Sequence, residues 1–343
     1  MSDLVNDGVV DIGGLKVLAV PGRGFPQNVP CDAYLLESAG EILLVDTGAD
    51  REVGWILDAA GPLGASISLM VNTHAHFDQL AGNAKLLSAG VAALLAPGGA
   101  EKLVERYGEA SRSYRGQIDL DELSAFFTNA EVSVFMNYYN GQHMTMPEVP
   151  VSRSLAGGDT VRFGDVALEV IEAPGHSPHH LCLLDRERGA LFSGSALLSE
   201  GIAYAGDNLF EPGGEGDVAM LLESTSRLEG LPFDALFSSA GFILEGGPGR
   251  ARETALYYRE FEERLLELLS GGPSSPEELA RSLHTGERTR MQAYRDRAAV
   301  LGMLRKLQAE GVGVPTSQPA PPNPPSPTRE KARFKTPFLH RPT

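Results

Sequence analysis

Asn72-Thr73-His74-Ala75-His76-Phe77-Asp78-Gln79 follows the apolar run ISLMV (Ile67 to Val71) and precedes a helical pattern. Side chains two residues apart on an extended segment share a face. His74 and His76, at the end of a strand, therefore point to one place, and Asp78 lies two residues further along the same line. The chain has eight histidines in all, so two at this spacing favour metal ligands over a turn with chance histidines. A second stretch has the same context. Ala173-Pro174-Gly175-His176-Ser177-Pro178-His179-His180 follows LEVIE (Leu168 to Glu172), and its Pro-Gly-His marks a sharp loop that presents His176. Neutral imidazole is the commonest metal ligand, and three of them leave one coordination position open for water. His179 and His180 read as residues that orient this loop or start the next strand.

Outward from these loops, short apolar runs alternate with helical patterns. Leu15 to Pro21, Cys31 to Glu37 and Glu41 to Val45 read as strands, the last two joined by the turn Ser38-Ala39-Gly40. Arg51 to Ala60 reads as a helix with Trp55 in the core, Ile67 to Asn72 as a strand, Gln79 to Ser88 as a helix and Ala93 to Ala96 as a strand. This alternation implies an α/β layered domain. Residues 100–150 are helical and aromatic-rich, too long for a simple connection, and read as an insertion or lid. Within it, Tyr138, Tyr139 and His143 are candidates either for a substrate pocket or for a packed cap. Strands resume at Thr160 to Phe163, Ala167 to Glu172, Leu181 to Leu184 and Ala190 to Ser193. Helices follow at Asp217 to Leu228 and Arg252 to Leu269, with Leu244 to Arg250 between them as a plain loop.

The expected division is one domain over 1–270, a small helical unit over 271–314 and a disordered Pro-rich tail over 315–343. The tail holds nine prolines, five basic residues and one acid. In the small unit, Ser275-Pro276-Glu277-Glu278 reads as a helix start, a longer helix runs from Tyr294 to Glu310, and Gly311 stops it. Its role is packing or homodimerisation rather than nucleic-acid binding.

The 343 residues carry 45 acids against 29 Lys and Arg, a net charge of −16. Such a chain repels phosphate backbones and anionic membranes, so neither is an expected partner; a small-molecule substrate is. No apolar stretch is long enough to span a bilayer. Cys31 and Cys182 sit in apolar strands and exclude a Cys-based zinc finger by count. Buried thiols and an acidic start, MSDLVNDGVVD, point to the cytoplasm.

On THAHFDQLAGN (Thr73 to Asn83) and APGHSPHHL (Ala173 to Leu181), supported by VDTG (Val45 to Gly48) and FSGS (Phe192 to Ser195), the sequence resembles the metallo-β-lactamase-fold superfamily over about residues 12–270. YYREFEERLLELL and residues 271–314 resemble the winged-helix extension of one branch. The resemblance implies an αββα sandwich with metal at one edge of two sheets. It assigns His74, His76 and His176 to a three-His site and Asp78 to a second site. Gln79 stands where a second-site His is expected, Ser195 where a bridging Asp is expected, and Ala240 where a last His is expected. One metal therefore results, zinc or alternatively iron or manganese, with Glu200 or Asp207 as substitutes for the bridge.

Such a site activates water against an ester, thioester, lactone or amide carbonyl, with Asp78 as base and Ser195 holding the water. Open positions beside three protein ligands also suit a non-haem iron oxygenase. A non-catalytic, degenerate member is the third reading. The intact HxHxD and PGH motifs argue against it.

Overall fold

The computed structural model describes residues 5, 6, 8–24, 29–206, 212, 216–272, 275–283 and 286–312. The tail over 315–343, Asp207, His284 and His340 lie outside them. Among the described residues sixteen strands are present: β1 Val5–Asn6, β2 Val9–Ile12, β3 Leu15–Val20, β4 Arg23–Gly24, β5 Val29–Pro30, β6 Ala33–Ser38, β7 Glu41–Val45, β8 Ser66–Val71, β9 Ala93–Pro97, β10 Arg153–Leu155, β11 Thr160–Phe163, β12 Val166–Glu172, β13 Leu181–Asp185, β14 Ala190–Gly194, β15 Ala235–Ser238 and β16 Gly241–Ile243. Eleven α-helices accompany them: α1 Val53–Ala60, α2 Phe77–Leu80, α3 Asn83–Ser88, α4 Glu101–Glu105, α5 Tyr107–Tyr114, α6 Leu120–Phe126, α7 Asn129–Tyr138, α8 Val218–Glu229, α9 Gly247–Ser270, α10 Pro276–Leu283 and α11 Arg290–Ala309.

Two sheets result. One has the order β1-β2-β3-β6-β7-β8-β9-β10 and the other β11-β12-β13-β14-β15-β16; β4 and β5 pair separately. The runs AYLLES (β6) and ILLV (within β7) are buried on both faces, which is why they read as nearly continuous apolar stretches. One face of that sheet meets the second sheet through Leu36, Leu43, Val45 and Val71 against Phe163, Leu168, Val170, Leu183, Phe192 and Phe237. The other face is covered by α1 to α4 through Ile56, Phe77, Leu86 and Val104. The outer face of the second sheet carries Leu184, Leu191 and Leu236 against Leu228 of α8 and Ala251 of α9. The layers are therefore helix, sheet, sheet, helix, as the resemblance implies.

Parallel pairing of β7 with β8, β8 with β9, and β14 with β15 aligns the carboxyl ends of these strands. The loops after β7, β8, β14 and β15 consequently open at one edge of the sandwich, where the PGH loop after β12 joins them.

Several elements differ from the sequence reading. The expected helix over Gln79 to Ser88 is two short helices, because Gly82 passes so close to Thr47 that a Cβ there would lie 2.6 Å from the Thr47 carbonyl oxygen. Trp55 is 57% exposed. The buried positions of α1 are Val53, Ile56 and Ala60, three and four residues apart, and Trp55 falls on the opposite side. Leu244 to Arg250 is not all loop: α9 starts at Gly247, with Pro248 in its first turn, where a missing N–H costs nothing. Strands β15 and β16 lie in a stretch where no strand was expected.

The 271–312 region consists of α10 and α11, with no strand among its described residues. Leu279, Leu283, Val300, Met303 and Leu307 share a core with Val218 and Leu221 of α8 and Tyr258 and Leu265 of α9. The 100–150 insertion is helical, and Ile118, Leu123, Phe135 and Tyr139 pack against Met291 and Tyr294 of α11.

Phe237 sits at the centre of the intersheet core, stacked on Phe192 at 4.9 Å and edge-on to Tyr34 at 5.5 Å. Phe237→Ala is expected to lower the free energy of unfolding by about 3–5 kcal/mol. Urea unfolding followed by circular dichroism measures this, and a loss under about 1 kcal/mol would place the main core elsewhere.

Candidate metal centre

His74 follows β8 in the loop that leads to α2, and His76 is the N-cap residue of α2 with extended backbone angles (φ −80°, ψ 147°). His176 arrives from the other sheet, on the loop after β12. Gly175 has φ +136°, and a Cβ there would lie 2.4 Å from the backbone of Leu221. Only glycine fits, because the loop is pressed onto α8 and its carbonyl accepts the Asp217 N–H at 2.8 Å.

The three imidazoles converge. His74 Nε2 and His176 Nε2 each lie 3.1 Å from His76 Nδ1, and the three ligand atoms all lie within 4.8 Å of one another. Tetrahedral bonds of 2.0–2.1 Å would space such nitrogens about 3.4 Å apart, so the set needs little adjustment to hold a metal.

For two of the three rings the hydrogen-bond partners assign the tautomer. Thr73 Oγ1 donates to Asp46 Oδ2 at 2.8 Å and lies 3.0 Å from His74 Nδ1. Its single proton is thus used, and His74 Nδ1–H must donate to it, which leaves a lone pair on Nε2. His176 Nδ1–H donates to the Tyr204 carbonyl at 2.8 Å, which leaves a lone pair on its Nε2. His76 Nε2 is buried with no hydrogen-bond partner among the described residues.

Burial keeps the rings neutral. It pulls His176 down to about 3 and His76 to about 4, and holds His74 well below the usual imidazole range with help from its neighbouring rings. Neutral rings with lone pairs turned inward are the form a metal binds. Burial also pushes Asp46 up to about 7, against the downward pull of its two Thr73 bonds.

Around this centre the other expected residues take separate places. Asp78 is half-buried in the first turn of α2; burial pushes both Cys31 and Asp46 up, and the Asp78 charge adds to it. Its carboxylate is outside the group of mutually close donor atoms. Ser195 Oγ is 2.9 Å from Ser239 Oγ, and its N–H donates to His180 Nε2 at 3.1 Å. His180 is buried and stacks on His74 at 4.6 Å, so it supports a member of the cluster and stays outside it. His179 is exposed and lies against Gly99. Gln79 is buried, and its carbonyl accepts from Thr47 N and Asn72 Nδ2, while its side-chain Oε1 has no partner among the described residues. Glu200 is exposed. Tyr139 and His143 are buried rather than lining an open pocket.

Sequence reading missed three supports: Asp46, the Tyr204 carbonyl and the stack of His180 on His74. Asp46 had a signal in VDTG, and its positive φ of 58° shows a backbone held against its preference. A carbonyl has no sequence signal.

A family model described as the metallo-beta-lactamase superfamily matches residues 27–239. Acyl-coenzyme A thioesterase MBLAC2 of Gallus gallus is 29% identical over 192 residues, which cover 54% of this chain and 64% of that protein. Hydroxyacylglutathione hydrolase of Rhodospirillum rubrum is 26% identical over 181 residues, covering 53% of this chain and 50% of its own. The chain thus spans between half and two thirds of these two relatives. Among solved structures, a beta-lactamase domain protein from Burkholderia ambifaria superposes with a TM-score of 0.67 at 21% identity, covering 90% of this chain and 91% of that one. A metallo-beta-lactamase family protein from Thermus thermophilus gives 0.62 at 23% identity, over 86% and 94%.

Thr73→Val keeps the shape and removes the hydroxyl that links Asp46 to His74. We expect zinc affinity to fall about 10- to 100-fold, the usual effect of losing an outer hydrogen-bond partner. Titration against a chromophoric chelator measures it, and an unchanged affinity would show that the Asp46–Thr73–His74 chain does not orient the ligand.

Proposed function

The chain belongs to the metallo-beta-lactamase superfamily, and from that premise we propose that it hydrolyses thioester or ester carbonyls at a single metal, zinc, held by His74, His76 and His176. The observation that carries this reading is the convergence of three neutral imidazole nitrogens from two sheets. The hydrolase relatives, one named for acyl-coenzyme A and one for hydroxyacylglutathione, support the thioester half of it. When bound, zinc lowers the pKa of a coordinated water to about 7 and polarises a carbonyl oxygen.

The chain's own groups do the rest. Asp78, on α2 directly after the metal loop, accepts the proton released as water attacks. The Ser195 hydroxyl, paired with Ser239, holds that water with a neutral group where relatives' pattern has a carboxylate. Among the described residues the Ser195 hydroxyl meets Ser239, and it is its N–H that faces His180, which argues against Ser195 as the nucleophile. Gln79, Ser195 and Ala240 supply no anionic ligand, which supports one metal in place of two.

Hydrolysis of S-butyryl-N-acetylcysteamine, read as thiol release, tests this reading. Zinc-loaded protein should turn over, His176→Ala should abolish activity, and Asp78→Asn should lower kcat by about 10²–10⁴ while retaining zinc. Ser195→Ala should cost far less. Full activity of Asp78→Asn would remove Asp78 from the base role, and no thiol release by the zinc form would contradict the thioesterase reading.

A further inference from the structure

Two of the three candidate ligands have their outer nitrogen held by an acceptor, His74 by Thr73 and His176 by Tyr204. The third, His76, has none among the described residues. A metal-bound histidine ordinarily needs such a partner to fix its ring. Something else must therefore hold His76.

Its neighbour in sequence is Phe77, a buried ring that lies between His76 and Asp78 in the chain. Phe77 stacks face to face on His143, with centroids 3.8 Å apart and planes 10° apart, and meets Tyr138 edge-on at 6.0 Å. His143 is itself gripped from its surroundings. It stacks on Tyr139 at 4.7 Å, and its Nδ1 lies 3.3 Å from the Tyr107 hydroxyl. Residues Tyr139 to His143 form a π-helical turn, a rare conformation that marks functional positions more often than chance. Burial keeps the ring neutral, pulled down to about 3, so the stack does not switch with pH in the physiological range.

We propose that His143 is a positioning residue for the metal centre, acting through its stack on Phe77 to hold His76. The aromatic insertion is then part of the metal-binding architecture. Tyr139, on which His143 stacks, also packs in a cluster with Met291 and Tyr294 of α11.

The test compares zinc affinity and the visible spectrum of the cobalt-substituted protein across four variants. His143→Ala and Phe77→Leu should each weaken zinc about 10- to 100-fold, as loss of outer support does, and shift the cobalt bands. His143→Phe keeps the stack without the ring nitrogens and should restore affinity and spectrum. Leu15→Ala removes a fully buried side chain of β3 in the intersheet core, outside the insertion and its aromatic cluster, and serves as the control for destabilisation alone. It should lower the unfolding temperature and leave zinc affinity unchanged. Wild-type zinc affinity in both His143→Ala and Phe77→Leu would overturn the proposal. So would an equal loss in Leu15→Ala, because generic destabilisation would then explain the effect. If His143→Ala does not fold, Phe77→Leu and His143→Phe decide the matter by themselves.

Discussion

Thr73 is bonded through all of its polar groups at once, and the site depends on that. Its N–H and hydroxyl both donate to the Asp46 carboxylate, at 2.8 Å each. Its hydroxyl oxygen receives His74 Nδ1–H. Its carbonyl accepts the Leu181 N–H at 2.8 Å, which ties the loop after β8 to the start of β13 in the other sheet. One residue thus sets the tautomer of a ligand and the spacing between the sheets that supply the ligands. The fit is tight enough that Gly194 could carry no side chain, since a Cβ would lie 2.4 Å from Thr73 Oγ1.

Every other support works in the same sense, by placing neutral lone pairs inward. Tyr204 takes the outer proton of His176, and His180 backs the His74 ring while accepting the Ser195 N–H. Three imidazoles packed this closely, two of them buried, would be an expensive arrangement if any of them were protonated. Neutral rings avoid that cost and leave coordination as the use for three converging acceptors. Asp46 places a carboxyl behind this set, one hydroxyl away from it, where it orients rather than coordinates.

The layers and the three-His cluster were legible in the sequence because both rest on local pattern. A strand that ends in HxH puts two rings on one face, and Pro-Gly-His after a strand presents a third. The strands that lead into both loops follow for the same reason. What was not legible depends on distant partners. β15 and β16 are short strands recognised only by pairing with β14 and with each other. The start of α9 hid behind Gly247 and Gly249, which look like loop until Pro248 is seen as a first-turn residue. Trp55 reads as core from its place on the first helix, yet the apolar spacing of α1 turns Val53 and Ile56 inward instead. His143 stands 66 positions after Phe77 by number and meets it only once the insertion has folded back.

The central claim is that these three rings hold one metal, with no second site rebuilt from Asp78 and its neighbours. Elemental analysis of the purified protein beside His76→Ala tests it most directly. One zinc per chain, lost in the variant, is the predicted result. Two metals per chain, or one that survives the loss of His76, would contradict it.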